Sequence, residues 1–165
     1  MEHKRQEFTE FYTSAADDCL RIVLVSVGDR QLAEDLVAEA FTRAWMSWRT
    51  VREHPAPRAW VVRTALNVHV SWWRRRRREV PLDDAGPGAA ASGPGSIDDA
   101  LAAAIRALPD RQREVLVLRV LLDLDTAATA SLLGVAPGTV GVHMHRAIAT
   151  LRTQIPSFSD QEVTR

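Results

Sequence analysis

The sequence predicts an all-α protein made of two small helical domains that are joined by a flexible linker. Apolar residues recur at the three- and four-residue spacing of helix faces, and no stretch shows the strict alternation of a half-buried strand. Residues 81–96 contain three prolines and four glycines, and Leu82 is their one large apolar residue, so this stretch cannot build a core. Apolar residues make up 46% of the 165 positions, which is enough for two small cores. We therefore expect domains at 7–79 and 97–155 and a linker at 80–96.

Charge is balanced over the whole chain but unevenly distributed along it. The chain has 21 basic and 21 acidic residues, which excludes a uniformly basic nucleic-acid-binding surface. Residues 1–79 carry 14 basic and 11 acidic side chains, a net charge of +3, whereas residues 80–165 carry 7 and 10, a net charge of −3. Five of the basic residues form one run, Arg74–Arg78, and such a local patch binds phosphate even on a neutral protein.

Several classes of protein are disfavoured by what the sequence contains. Cys19 is the single cysteine, so an intrachain disulfide and a cysteine-based metal cluster are excluded, and its apolar stripe predicts a core position. His143 and His145 are two positions apart on different helix faces and do not form a metal-binding pair. No apolar run approaches the roughly 20 residues of a membrane span, and the polar N-terminus is unlike a signal peptide. We expect a cytoplasmic protein that is not an enzyme, is not inserted in a membrane and has no metal or cofactor.

Three helices are predicted in the first domain. Gly28 is expected to end the first helix and Asp29 to cap the second, because glycine tolerates a left-handed C-cap and aspartate accepts hydrogen bonds from free amides. Two prolines in the segment Thr50–Pro57 are expected to break the chain before the third helix. Trp45 and Trp48 lie in an apolar stripe and are expected in the core. The predicted helices cover about Glu7–Val27, Arg30–Arg49 and Arg58–Arg78.

Four helices are predicted in the second domain. Asp125 is expected to cap the third of them and Gly134 to end it. The apolar residues expected to lie inside the second helix are Val115, Leu116, Leu118, Val120 and Leu121. The first predicted helix is capped by Asp98 or Asp99 and runs through Ala107, and the other three cover about Asp110–Leu122, Thr126–Leu133 and Pro137–Ile155.

The last two helices have the spacing of a helix-turn-helix. Ala130 is small where two helices must approach, Gly134 sits where a tight turn needs positive φ, and Val140 can pack the second helix onto the first. A plain helical hairpin can show the same spacing. In the functional interpretation the final helix enters the DNA major groove and its first turns face the bases. The candidate DNA-binding residues on this helix are Pro137, Gly138, Thr139, Val142, His143 and Arg146.

The run WWRRRRR at the end of the third helix has two interpretations. It can be a solvated helix end, where cations also suit the negative end of the helix dipole. It can instead grip single-stranded DNA, because arginine binds phosphate in a bidentate manner and tryptophan stacks on unpaired bases. The tryptophans available for stacking are Trp60, Trp72 and Trp73.

At three stretches the chain resembles the extracytoplasmic-function (ECF) sigma factors of bacterial RNA polymerase. LAEDLVAEAFTRAW (Leu32–Trp45) resembles the helix that docks on the clamp of the polymerase β′ subunit. PRAWVVRTALNVHVSWWRRRRR (Pro57–Arg78) resembles the helix that contacts and helps to melt the promoter −10 element. LPDRQREVLVLRVLLDLDTAATASLLGVAPGTVGVHMHRAIATLR (Leu108–Arg152) resembles the domain that reads the −35 element. The three stretches occur in the order of the family, with a linker where the family has one.

The resemblance implies partners and site residues. The partners are core RNA polymerase, through its β′ clamp and β subunit, promoter DNA, and an anti-sigma factor. The residues implied to face the polymerase are Glu34, Asp35, Ala38, Glu39 and Thr42. The residues implied to handle the −10 strand lie in and after the loop, at Val51, Arg52, His54, Trp60, Arg63, Thr64, Asn67, Arg74 and Arg75. Arg146 and its neighbours on the last helix are implied to handle the −35 duplex.

The chain departs from the family pattern on the recognition helix and near the −10 helix. Gly141, Val142 and His143 stand where the family carries a basic and polar set, and a valine cannot donate to a base edge although it can contact a thymine methyl group. Leu66 and Ser71 stand where arginine and aspartate are common. Base preference at the −35 element therefore does not follow from the resemblance.

Three functional hypotheses remain open at this point. The first is a sigma factor that lends −10 and −35 recognition to the polymerase. The second is a stand-alone helix-turn-helix regulator, which the few basic residues of 137–155 disfavour because such regulators rely on phosphate contacts. The third is a degenerate protein that binds polymerase or an anti-sigma factor without initiating transcription. Binding to core polymerase separates the second hypothesis from the other two, and transcription separates the first from the third.

Overall fold

The structure is a computed structural model that describes residues 1–79 and 97–155. The chain divides into two compact units between residues 90 and 91, which we call the N-terminal unit and the C-terminal unit. The described residues of both units form helices and no strand, which confirms the predicted all-α class. The predicted linker at 80–96 lies outside the described residues.

The N-terminal unit begins with two long helices, α1 (Glu2–Val27) and α2 (Arg30–Met46). Both residues of the turn between them act as the sequence predicts. Gly28 adopts a left-handed conformation with φ of 76°, and its amide donates to the Leu24 carbonyl at 2.8 Å. The Asp29 side chain accepts from the Leu32 amide at 2.9 Å and so caps α2. The turn therefore needs only two residues and makes the two helices antiparallel neighbours.

Two further helices complete the N-terminal unit, the short α3 (Trp48–Arg52) and the long α4 (Pro57–Glu79). Helices α1, α2 and α4 pack on one another in pairs. Small side chains fill much of the interface, which lets the helix axes approach closely. The buried core residues of these helices are Ala15, Cys19, Val23, Ala33, Leu36, Val37, Ala40, Phe41, Ala44, Ala59, Val61, Val62, Ala65 and Val68.

Aromatic side chains of α1, α2 and α3 pack together in one cluster. The ring of Phe8 lies 5.2 Å from Trp45 and 5.2 Å from Trp48, and it meets Phe41 at 6.4 Å. The predicted core position is confirmed for Trp48, which is 4% exposed. Trp45 is half-buried, with the Lys4 ammonium 4.2 Å above its ring, so it lies at the border of the core.

A break follows α2 as predicted, but it comes three residues earlier than the sequence indicated. Helix α2 ends at Met46 instead of Arg49, and the chain resumes as α3 after Ser47. The cause is tertiary, because the Trp48 ring enters the aromatic cluster and its indole nitrogen donates to Glu7 at 3.4 Å. Helix α1 also starts earlier than predicted, at Glu2 instead of Glu7. Residues 53–56 are the only part of the predicted loop 50–57 that is not helical.

Cys19 provides a simple test of packing in the N-terminal unit. Its side chain is fully buried, and burial raises the pKa of the Cys19 thiol to about 12. Since the thiolate is the reactive form, we expect a thiol reagent at mildly alkaline pH to label the folded chain about a hundredfold more slowly than the chain in urea. The unfolded thiol ionises near its ordinary value of 9.0, so folded stability is expected to fall as pH rises above that value. Equal labelling rates in the two states, followed by mass spectrometry, would contradict this packing.

The C-terminal unit contains four described α-helices: α5 (Ile97–Ala107), α6 (Asp110–Leu116), α7 (Thr126–Leu133) and α8 (Pro137–Gln154). Helix α8 packs on α5, α6 and α7 and so forms the centre of this unit. Buried aliphatic side chains from all of these helices make up the core. They are Ala104, Ile105, Leu108, Val115, Leu116, Val117, Leu118, Leu124, Ala130, Leu133, Val140, Ala147 and Ile155.

A π-helical turn over Val117–Leu121 continues α6 and overturns one prediction. Val120 and Leu121 were expected inside, but they are 56% and 40% exposed. The wider turn, in which the Leu122 amide donates to the Val117 carbonyl at 3.1 Å, rotates the side chains that follow it away from the core. The Arg119 guanidinium holds this turn by donating to a backbone carbonyl at 2.6 Å.

The helix-turn-helix geometry predicted for α7 and α8 is confirmed. The Asp125 side chain caps α7 by accepting from the Ala128 amide at 2.7 Å. Gly134 ends α7 in the left-handed conformation with φ of 66°. Ala130 and Val140 are 3% and 1% exposed, as expected for the two contact points between the helices.

Candidate functional surfaces

One face of α2 is polar and turned away from the core. The α-helical rotation of about 100° per residue places the five predicted positions within an arc of about 140°, opposite the buried residues of the helix. All are exposed except Glu39, which is half-buried. We call this surface the acidic face, and its residues are Glu34, Asp35, Ala38, Glu39 and Thr42.

Asp35 is the uncompensated charge of the acidic face. Glu34 pairs with Arg30 at 3.1 Å and Glu39 with Arg43 at 2.8 Å, both within α2. The Asp35 carboxylate accepts from an amide side chain of its own helix at 3.1 Å and has no ion pair within the described part of the chain. A cationic partner would therefore meet its strongest attraction at Asp35.

A second polar surface runs along α4. Helical rotation places the predicted positions of this helix on one stripe of about 120°, over a length of about 22 Å, opposite the buried residues of α4. Trp60, Arg63 and Thr64 are half-buried at one end of the stripe. Arg74 and Arg75 are exposed at the other end. We call this surface the α4 stripe, and its residues are Trp60, Arg63, Thr64, Asn67, Arg74 and Arg75.

A pocket of about 370 Å³ opens beside the α4 stripe. Trp60, Thr64 and Asn67 line it from α4. The other wall is formed by the end of α2 and the residue after it, which the sequence did not indicate, because the break there depends on packing. Those lining residues are Arg43, Met46 and Ser47. The pocket has an aromatic ring, an amide and a guanidinium on its walls, a combination that suits a planar polar ligand such as a nucleobase.

The predicted loop residues have structural roles that the sequence did not show. The Val51 side chain is fully buried, so it belongs to the core and is not available to DNA. Arg52 donates to the Glu7 carboxylate at 3.0 Å, and that hydrogen bond lowers the pKa of the Glu7 carboxyl. The imidazole Nδ1 of His54 accepts from the Ala56 amide at 3.0 Å, which fixes the turn before α4. The loop is thus a rigid support for the start of α4.

The other two tryptophans of α4 lie away from the α4 stripe. Helical rotation places Trp72 and Trp73 about 120° and 140° from Trp60 around the helix axis. The Arg77 guanidinium covers the Trp73 ring at 3.5 Å, and Trp72 is 36% exposed. Of the three tryptophans offered for stacking, Trp60 is the one that lines the pocket.

The exposed face of α8 carries most of the residues predicted on it. Thr139, Val142 and Arg146 are exposed, as are the first two residues of the helix. His143 is half-buried at the edge of this face, and its Nδ1 atom is enclosed without a hydrogen-bond partner in the structure. His145 is exposed on the same side of α8 as Val142, about 60° from it, and was not among the predicted positions.

Three arginines of the C-terminal unit outside α8 bind groups of the unit itself. Arg111 pairs with Glu114 at 3.1 Å, and Arg113 pairs with Asp110 at 2.6 Å. Arg119 is engaged by the π-helical turn. These three guanidiniums are engaged within the unit, whereas Arg146 lies exposed on α8.

The described residues contain neither a metal-binding group nor a membrane-spanning helix. Within 1–79 and 97–155, no group of three or more His, Cys, Asp or Glu side chains is arranged to hold a metal ion. No helix in these ranges is both long enough and apolar enough to cross a bilayer.

Two family models match the chain, sigma-70 region 2 over residues 11–79 and sigma-70 region 4 over residues 98–151. The RNA polymerase sigma-E factor of Streptomyces coelicolor is 33% identical over 159 residues, which cover 90% of this chain and 86% of that protein. The ECF RNA polymerase sigma factor SigM of Bacillus subtilis is 27% identical over 150 residues, which cover 87% and 91%. The chain is a sigma factor of the ECF type, in the sigma-70 family.

The fold of this sigma factor also matches a solved structure. The sigma factor RpoE, crystallised with the anti-sigma factor NepR from Bartonella quintana, has a TM-score of 0.72 and 22% identity, with 97% of this chain and 99% of that chain covered. At this identity the likeness shows the fold alone. The region 2 match of this sigma factor spans the acidic face and the α4 stripe, and its region 4 match spans α7 and most of α8.

Proposed function

We propose that this sigma factor uses three separate surfaces to direct initiation. The acidic face of α2 binds core RNA polymerase, the α4 stripe and its pocket hold the opened −10 strand, and the exposed face of α8 contacts the −35 duplex. The chain performs no catalysis of its own in this proposal and acts in the cytoplasm with the polymerase. The observation that carries the proposal is the pocket beside Trp60, because a pocket lined by an aromatic ring and polar groups, next to an arginine-rich helix end, suits an unpaired base of melted DNA.

The acidic face suits a protein partner better than DNA. Two of its carboxylates are already paired within α2, and Asp35 adds an uncompensated negative charge that would repel phosphate. The face lies on a helix whose other side is packed into the core, so it is rigid before binding. We therefore assign it to core polymerase.

The α4 stripe suits single-stranded DNA. Arg74 and Arg75 lie at one end for phosphates, and the pocket lies at the other end for a base that has left the stack. The rigid turn held by His54 and Arg52 keeps the start of α4 in place against the N-terminal unit. In this proposal Val51 and His54 act by supporting the loop, and their side chains do not contact DNA.

The test of the proposed function is transcription by reconstituted holoenzyme. Core polymerase and the purified chain are incubated with a genomic DNA library, and start sites are mapped. We expect start sites that share two motifs at a fixed spacing, as two reading units require. Failure of the chain to bind core polymerase at micromolar concentration would remove the proposal. Binding without initiation would favour the degenerate interaction protein, and tight specific DNA binding without polymerase would favour the stand-alone regulator.

Removing two charges from the α4 stripe is expected to reduce the salt sensitivity of promoter opening. In the double variant Arg74→Ala, Arg75→Ala, the slope of log binding against log salt should become shallower by about 1.4 to 1.8, the value for two lost phosphate contacts. The measurement is open-complex formation over a salt series. The double variant Arg76→Ala, Arg77→Ala loses the same charge from other sides of the helix and is the control. If both double variants lower the salt slope equally, the arginines act only through their summed positive charge. If neither variant changes the slope, the arginine run is a solvated helix end.

A further inference from the structure

The exposed face of α8 carries helix-weakening residues at three neighbouring positions. Gly138, Gly141 and Val142 lie within an arc of about 100° on the first two turns of this helix. Glycine and valine both stabilise a helix less than alanine does, glycine because its backbone loses the most freedom on folding. Such residues at adjacent exposed positions call for a reason outside helix formation.

Neither the backbone nor the packing of the unit requires the two glycines. In the described part of the chain, Gly28 and Gly134 are the glycines with positive φ, and both are helix ends. A Cβ atom added to Gly138 or Gly141 would meet no atom within 4 Å. The free protein therefore has room for side chains at both positions, and the bare surface that the two glycines leave is open to a partner that approaches α8 from outside.

Val142 is the large apolar side chain on this same patch. It is 47% exposed, whereas the apolar residues that fix α8 to the unit, Val140 and Ala147, are 1% and 0% exposed. Valine has no hydrogen-bonding group, so it can read a base only by contact with carbon. Thymine is the one base that presents a methyl group in the DNA major groove, at its C5 position.

We propose, on the basis of the −35 contact assigned above, that Val142 is a specificity-determining residue that reads a thymine methyl group. Gly138 and Gly141 leave the helix surface bare on one side of Val142, so that this side of the helix enters the groove closely enough for the short Val142 side chain to reach the base. Thr139 and Arg146 lie together on the other side of Val142, at about 80° to 100° from Gly138, and contact the neighbouring base edges or phosphates. The unit thus replaces the polar readout typical of a recognition helix with close apolar contact.

The test uses holoenzyme and one promoter taken from the mapped start sites. Each thymine of its −35 duplex is replaced in turn by deoxyuridine, which removes only the 5-methyl group. At one position the wild-type holoenzyme should initiate about fourfold less well, the factor that burial of one methyl group supplies. The variant Val142→Ala should not distinguish thymine from uracil at that position. Val120→Ala removes a valine outside α8 that is 56% exposed, against 47% for Val142, and should keep the discrimination.

The variant Gly141→Ala tests close approach separately. Because the added methyl group has free space in the protein, this variant should melt at a higher temperature than the wild type. It should nevertheless initiate several-fold less well from the duplex promoter, and normally from a template whose −35 duplex is absent and whose −10 region is already open. A variant that is more stable and initiates equally well from the duplex promoter contradicts close approach.

The outcomes separate this inference from the proposed function. A wild-type chain that fails to initiate removes the proposed function itself. A wild-type chain that initiates, but shows no loss with uracil at any −35 position, overturns only the role of Val142. The same follows if Val142→Ala and Val120→Ala discriminate thymine from uracil equally.

Discussion

Replacing Trp60 with alanine is expected to slow promoter opening by about ten- to a hundredfold while polymerase binding stays unchanged. Trp60 lines the pocket beside the α4 stripe, and the loss of one base–aromatic stack weakens single-strand binding by about 1–3 kcal/mol. The measurement is the rate of open-complex formation by holoenzyme, followed with a fluorescent base in the −10 region. Binding of the variant to core polymerase is measured in parallel.

Two further variants give this experiment its controls. Trp60→Phe keeps a ring in the pocket and should recover most of the opening rate, which a loss of folding would not explain. Trp72→Ala removes another tryptophan of α4, one that is 36% exposed and lies about 120° away around the helix. If Trp72→Ala slows opening as strongly as Trp60→Ala does, the assignment of the base to the pocket is wrong.

The charge reversal Asp35→Lys is expected to weaken binding to core polymerase by about ten- to a hundredfold. Asp35 is the acid of the acidic face that no cation within the described residues neutralises, so it meets the partner with its full charge. Reversal replaces attraction with repulsion at a docking surface, which costs several kcal/mol where the pair is desolvated. Fluorescence anisotropy of the labelled chain titrated with core polymerase measures the change.

One control changes the size of the charge change at Asp35, and the other moves the same charge reversal to another helix. Asp35→Asn removes the charge without reversing it and should show an intermediate loss of affinity. Asp17→Lys makes the same reversal at an exposed position of α1, and it should bind polymerase as the wild type does. Asp35→Lys should have little effect on the binding of a −10 single strand to the α4 stripe. Equal losses of polymerase and DNA binding would contradict a dedicated polymerase surface.

Local features of the fold could be predicted because their causes lie within a few residues. The turn at Gly28 and Asp29 depends on a left-handed C-cap and an N-cap, and both follow from the residue type alone. The helix-turn-helix could be predicted for the same reason, since Asp125, Gly134 and Val140 act through the turn they flank. The all-α class followed from helical spacing of apolar residues.

Features that depend on distant contacts could not be predicted in this way. The end of α2 at Met46 is set by the Trp48 ring, which leaves the α2 stripe to join Phe8 of α1. That break also creates one wall of the pocket, so part of the candidate site was invisible before the helices were packed. The outward turn of Val120 and Leu121 likewise comes from a π-helical turn that helical spacing does not reveal.

By itself the sequence determined the helical class, the helix caps, the polar faces of α2 and α4, and the position of the recognition helix. These properties follow from side-chain chemistry and from spacing along a regular helix. Tertiary structure alone decided which of the residues predicted to contact the −10 strand are available. It buried Val51, engaged Arg52 and His54 in support of a turn, and gave Trp60 a pocket. The physical reason is that exposure and hydrogen bonding depend on what packs nearby, and the neighbours of the residues around this pocket come from α1 and α2 as well as from their own segment.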